Sequence, residues 1–134
     1  IPFGVGNVAL RPVYHMAAFI GQGVPVFDIR EVAGDTDMLV RTPDLGAALA
    51  RTLADKPAAL MRGHGAVVVG DSLAQAVGRS HYLQMNAKLQ AQASALGSEI
   101  KYLDAGEASK AEAFGGYERS WELWKSKAMG GAAR

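Results

Sequence analysis

Cysteine is absent from all 134 residues, which excludes disulfides and any thiolate metal site. A metal ion on this chain would therefore sit on imidazole and carboxylate groups. Histidine is scarce as well: the three residues His15, His64 and His81 form no H-x-H or H-E-x-x-H pattern. No apolar run approaches the roughly 18 residues of a membrane span, so no membrane partner is expected. The net charge of +1 lacks the basic excess of a nucleic-acid binder, and no nucleic-acid partner is expected either. No basic start followed by an apolar core marks a secretory leader. The missing disulfides fit a cytoplasmic setting.

What is present is an ordinary globular composition. Hydrophobic residues make up 49% and charged residues 20%, enough to build one domain around a real core. Residues 1–129 are read as that domain and 130–134 as a frayed tail. "IPFGV" and Val8 to Leu10 read as strands, and Pro12 as the first position of a short helix through Tyr14 to Ile20, closed by Gly21. "VPVFDI" (24–29) reads as a buried strand and 30–38 as a polar loop, with a short strand at Met38 to Val40. Thr42 and Pro43 open a helix that ends before Pro57. "AALM" and "AVVVG" flank "RGHG" as strand, turn and strand. Asp71 or Ser72 caps a long helix to about Leu96, with Leu73, Ala76, Val77, Ser80, Leu83, Ala87 and Ala91 as its apolar stripe and Gly97 at its end. Two helical stretches follow around Gly115 and Gly116, and strands alternating with helices give an α/β reading.

His64 stands out among the candidate residues. Gly63 and Gly65 permit backbone conformations that other residues resist, and they clear the approach to the imidazole. Flanking strands would hold the ring as metal ligation or acid–base work requires. A metal ligand, a catalytic base and a plain turn residue all remain open on pattern alone. Tyr14 and His15 are adjacent, so on a helix they point in different directions, and Arg11 beside them could bind an acidic group. His81 on the long helix reads as a packing residue. Asp28, Asp35 and Asp37 read as solvated loop carboxylates, because a hard-cation site needs more oxygen ligands at defined spacing. Trp121, Trp124 and Tyr117 share a helical face suited to core or subunit contact.

The blocks "LRPVYHMAAFIGQGVPVFD", "TPDLGAALARTLADK" and "ALMRGHGAVVVGDSLAQAV", in this order, resemble the class II aldolase/adducin family from Ile1 to about Leu96. The resemblance implies a three-layer α/β/α fold, incomplete at the N-terminus, because the chain is similar to the C-terminal half to two-thirds of a member. It implies symmetric homotetramers with active sites at subunit interfaces. In the family's enzymes three histidines hold a divalent metal, two from an H-x-H motif and one from the R-G-H-G-A turn. By that resemblance His64 is the third ligand, and the H-x-H pair and catalytic glutamate belong upstream of Ile1. Zinc is the first expectation for the metal, with manganese or cobalt as alternatives.

"LRPVYHMAAF" and "GGYERSWELW" are more similar to the branch that decarboxylates hydroxylated aromatic or pyridine carboxylic acids than to the sugar-phosphate aldolases. That resemblance makes Arg11 a substrate-binding candidate, His15 a catalytic one, and Tyr14 a substitute for His15. The family's aldolases also borrow a tyrosine near the C-terminus from a neighbouring subunit, for which Tyr117 is the nearest candidate. Sugar-phosphate aldolase, pentose-phosphate 4-epimerase and an adducin-like interaction module without catalysis are the alternatives.

Overall fold

The computed structural model describes residues 1–113 and 115–130. Three strands form its sheet, in the order β1 (Val26–Phe27), β2 (Ala58–Met61) and β3 (Gly65–Val68). β1 runs parallel to β2, with Val26 opposite Leu60, and β2 and β3 form an antiparallel hairpin with Met61 opposite Gly65. β2 lies in the middle, paired along both edges, and Ala58, Ala59 and Leu60 are all buried, so both its faces are covered. The fold is mixed α/β with a small open sheet, as the alternation of patterns implied.

Helix caps fall where the sequence placed them. Thr42 accepts the Leu45 N–H at the start of α3 (Pro43–Leu53). Ser72, rather than Asp71, caps α4 (Leu73–Ala95) by accepting the Gln75 N–H. Each such cap satisfies an amide the helix itself cannot, worth about 1 kcal/mol. Gly97, at φ 72°, follows the end of α4. The two late helices are α5 (Ala105–Glu112) and α6 (Glu118–Ala128). The tail beyond Gly130 lies outside the described residues.

Several expectations are corrected. The opening residues form a one-turn helix, α1 (Pro2–Val5), because Pro2 suits a first helical turn and Phe3 can then reach the core. The helix expected from Pro12 is a 3-10 helix that starts at His15, since Tyr14 is still extended at φ −153° and ψ 161°. Residues 30–38 contain a one-turn helix, α2 (Arg30–Ala33), and Met38 to Val40 form no strand. The buried face of α4 is Gly78, Leu83, Asn86 and Gln90, while Leu73 and Val77 are exposed.

That last correction explains the segment read as a strand near Val8 to Leu10. It is extended, and as far as Val13 its hydrogen-bond partners are side chains, apart from the Leu103 N–H that the Pro12 carbonyl accepts at 3.0 Å. Gln90 Nε2 donates to the Ala9 carbonyl and its Oε1 accepts the Arg11 N–H; Asn86 Nδ2 donates to the Arg11 carbonyl and its Oδ1 accepts the Val13 N–H. Two buried amides thus do what a neighbouring strand would do, which is why polar residues occupy the inner face of α4.

The main core joins Phe3, Leu10, Ala17, Phe19, Ile20, Ala58, Leu60 and Leu83. A second cluster, Phe27, Ile29 and Ala48, seats α3 near β1. α5 docks on the 3-10 helix through Ala108, its one buried residue, at a point where a β-carbon on Gly21 would overlap the Ala108 methyl. α6 packs on α4 through Tyr117 and Trp124, as their shared face implied. Tyr117 lies so close over Gly78 that a side chain there would meet its ring.

Candidate functional site

His64 sits in the three-residue connection between β2 and β3, and its own N–H bonds the Met61 carbonyl at 3.0 Å. Gly63 has φ 66°, the left-handed conformation that closes such a turn and that side chains resist. A β-carbon at Gly63 would also press on Met38 Cε. The His64 ring is exposed, and its Nδ1 lies 3.1 Å from the Met38 carbonyl oxygen. A carbonyl can only accept, so Nδ1 is the donor, and in the neutral ring Nε2 is then the nitrogen that keeps a lone pair. Phe27, Ile29, Met61 and Arg62 complete the shallow dent around this ring.

The loop supplying that carbonyl is tightly tied. Met38 adopts φ 65°, its N–H donates to Thr36 Oγ1 at 2.9 Å, and the next amide, Leu39 N–H, donates to Asp37 Oδ1 at 3.0 Å. Asp37 Oδ2 accepts from Arg41 Nε at 2.8 Å. The Leu39 amide first, and then Arg41, hold the Asp37 carboxyl below the usual carboxylate range.

Beside the turn, Arg62 Nε forms an ion pair with Asp28 Oδ1 at 2.8 Å, while Arg30 grips both oxygens of the same carboxylate. Hydrogen bonds from Arg30 and then Arg62 hold Asp28 well below the usual carboxylate range. Asp28 is therefore an engaged, half-buried structural group, which corrects the reading of it as a solvated loop carboxylate, whereas Asp37 keeps its exposed place on the loop while bonding Leu39 and Arg41.

The other candidates lie elsewhere. His15 is exposed and lines a mostly apolar cleft with Met16, Phe19, Glu112 and Tyr117. The Tyr14 ring stands edge-on to the His15 ring, with centroids 6.0 Å apart, and also meets Tyr82 at 6.4 Å. Its hydroxyl is buried without a hydrogen-bond partner among the described residues. Burial first, then Tyr82 and Tyr117, push its phenol up to about 12. Arg11 stacks its guanidinium 3.9 Å above the Tyr102 ring centre. The structure thus brings His15 and Tyr117 to one cleft, and His64 lines a different depression. His81 packs its ring against Trp124 at 4.8 Å, in keeping with a structural role.

Metal binding can be tested on the donor set. In its neutral form His64 offers one imidazole nitrogen, Nε2, which fits a single ligand position. Among the described residues no three His, Cys, Asp or Glu side chains converge to hold an ion. Zinc sites take at least three protein ligands, so His64 alone does not make one. Among the described residues, too, no helix is long and apolar enough to cross a membrane.

Residues 5–91, which contain Arg11, Tyr14, His15 and His64, match the family described as the class II aldolase and adducin N-terminal domain. The chain belongs to this family. The decarboxylase tropJ of Talaromyces stipitatus is 38% identical over 101 residues, covering 67% of this chain and 38% of that protein. The crystal structure of an aldolase II superfamily protein from Pseudomonas syringae superposes with a TM-score of 0.70 at 18% identity, over 97% of this chain and 52% of that one. The latter likeness shows the fold. The family chain described here spans little more than a third of the first relative's length and about half of the second's.

Two features escaped the sequence reading. Asn86 and Gln90 lay hidden because amides on a helix read as solvent-facing. The hold of Asp37 on the Met38–Leu39 peptide had a local signal, since aspartate readily bonds an amide two residues on. Its link to His64 had none.

Proposed function

We propose that the chain belongs to a metal-dependent carbon–carbon lyase, most concretely one that decarboxylates a hydroxylated aromatic or pyridine carboxylic acid. The observation that carries this reading is the His64 ring, exposed at Nε2 and tied at Nδ1, in a chain 38% identical to a protein named a decarboxylase. His64 Nε2 supplies one ligand to a divalent ion, zinc first, with manganese or cobalt as alternatives. In the whole protein the family's H-x-H pair, absent from this sequence, supplies the other imidazoles. The bound ion contributes Lewis acidity toward a developing enolate.

The chain's own side chains divide the remaining work. His15, open to the apolar cleft, holds or protonates the aromatic acid. Tyr14, the substitute for that role, stays protonated at neutral pH and so would give a proton rather than take one. Arg11, preorganised on Tyr102, meets a carboxylate. His64 and His15 line separate depressions, so the reading places them in one active site across a subunit boundary of a homotetramer. The full domain is three-layered α/β/α, of which residues 1–129 are the C-terminal portion, and it works in the cytoplasm without nucleic acid or membrane.

The test is metal content and product analysis on the complete protein. About one ion per chain is expected, with metal affinity lowered by orders of magnitude in His64→Ala and carbon dioxide released from an ortho-hydroxy aromatic acid. Cleavage of a phosphorylated sugar instead would establish an aldolase, and epimerisation of a pentose phosphate an epimerase. A complete protein that takes up no metal would point to an adducin-like interaction module.

A further inference from the structure

We propose that Asp37 is a positioning residue for His64, acting through one peptide group. The Leu39 N–H and the Met38 carbonyl belong to the same peptide. Asp37 Oδ1 accepts from its N–H at 3.0 Å, and its carbonyl accepts from His64 Nδ1 at 3.1 Å. The sequence of bonds is therefore carboxylate, peptide, imidazole. Metal-binding histidines commonly lean on a carboxylate or a carbonyl through their second nitrogen. In this chain the carboxylate stands one peptide removed, with the carbonyl between it and the ring.

The arrangement has two physical effects. A negative charge on the N–H side polarises the peptide and makes its carbonyl a better acceptor, since linked hydrogen bonds strengthen one another. The ring is thereby held in the tautomer that carries hydrogen on Nδ1 and leaves Nε2 bare. The second effect is on the backbone. Met38 sits at φ 65°, a conformation disfavoured for a side chain of its size, and something must hold it there. Thr36 Oγ1 on its own N–H and Asp37 on the following one clamp it from both sides. Arg41 fixes the outer oxygen of Asp37 at 2.8 Å.

The purpose assigned to this device rests on the reading of His64 as a metal ligand; its geometry does not. Nitrogen-15 NMR of the histidine rings in the metal-free complete protein, at a pH where the imidazoles are neutral, reads the tautomer directly. His64 is expected with hydrogen on Nδ1. Asp37→Ala should shift its population toward the Nε2–H form and weaken zinc binding about 10- to 100-fold. Asp37→Asn, which keeps an oxygen for the Leu39 amide but loses the charge, should restore the tautomer in part. A wild-type His64 protonated on Nε2, or a tautomer unmoved by Asp37→Ala, would overturn the proposal. Tautomers as expected, with zinc bound equally by wild type and His64→Ala, would sink the metal reading and leave the positioning intact.

Discussion

Asn86 and Gln90 stand one turn apart on α4, both fully buried, and together they bind the backbone of one extended segment, residues 9–13. Arg11 is bonded by both, through its N–H to Gln90 and through its carbonyl to Asn86. The chain that carries Arg11, Tyr14 and His15 is thereby seated on a helix, with no strand beside it.

Truncating either amide would deprive two partly buried backbone groups of their partner. Asn86→Ala and Gln90→Ala are each expected to cost about 2–4 kcal/mol, measured by denaturant unfolding. Amide exchange should identify the mechanism. Val13 should lose protection in Asn86→Ala, and Arg11 in Gln90→Ala. Unchanged protection at both sites would show that the two amides do not hold the segment.

Tyr14 ties stability to high pH. Its phenol is pushed up to about 12 from an ordinary 10.0, so the folded state holds this proton more tightly than the unfolded state. The associated stability is complete below pH 10 and is lost as the pH rises toward 12. Burial raises Tyr117 in the same direction. Tyr14→Phe should flatten the decline between these pH values. At neutral pH it removes a buried hydroxyl that has no hydrogen-bond partner among the described residues, so stability should stay within about 1 kcal/mol of wild type or rise. A larger loss would reveal a bond that this hydroxyl makes.

Asp28 sets the opposite limit. Its carboxyl is held below the usual range, so the folded state binds that proton more weakly than the unfolded state does. The stability this provides is present above the ordinary value of 3.8 and is lost as the pH falls through the lower folded value. Asp28→Asn should make acid unfolding below pH 3.8 shallower. It should also loosen the turn through Arg62, visible as faster amide exchange at His64. Acid curves of equal slope for the two proteins would remove Asp28 from that account.

Much of this was legible in the chain. Thr42 and Ser72 announced their helices because a hydroxyl before an apolar period satisfies a helix's first amides. Gly63 and Gly65 marked the turn at His64 because one of them needs a left-handed backbone. The inner face of α4 was not legible, since burial there depends on backbone groups some 75 residues away in sequence. Phe3 shows a similar limit: "IPFGV" is too short for its apolar spacing to separate strand from helix, and contact with the core decided. The bond from Met38 to His64 joins residues 26 apart through a carbonyl, and every residue type has one.

The seat of α5 carries a consequence for how this sequence can drift. Ala108 is the one buried residue of an eight-residue helix, and it faces a glycine. Gly21 has no smaller residue to become, and growth at either position collides with the other. In a set of homologous chains, α5 should therefore be among the most variable stretches, crossed by a single column that scarcely changes. Evolution is free to rewrite the outside of that helix and is confined to one residue where it touches the rest.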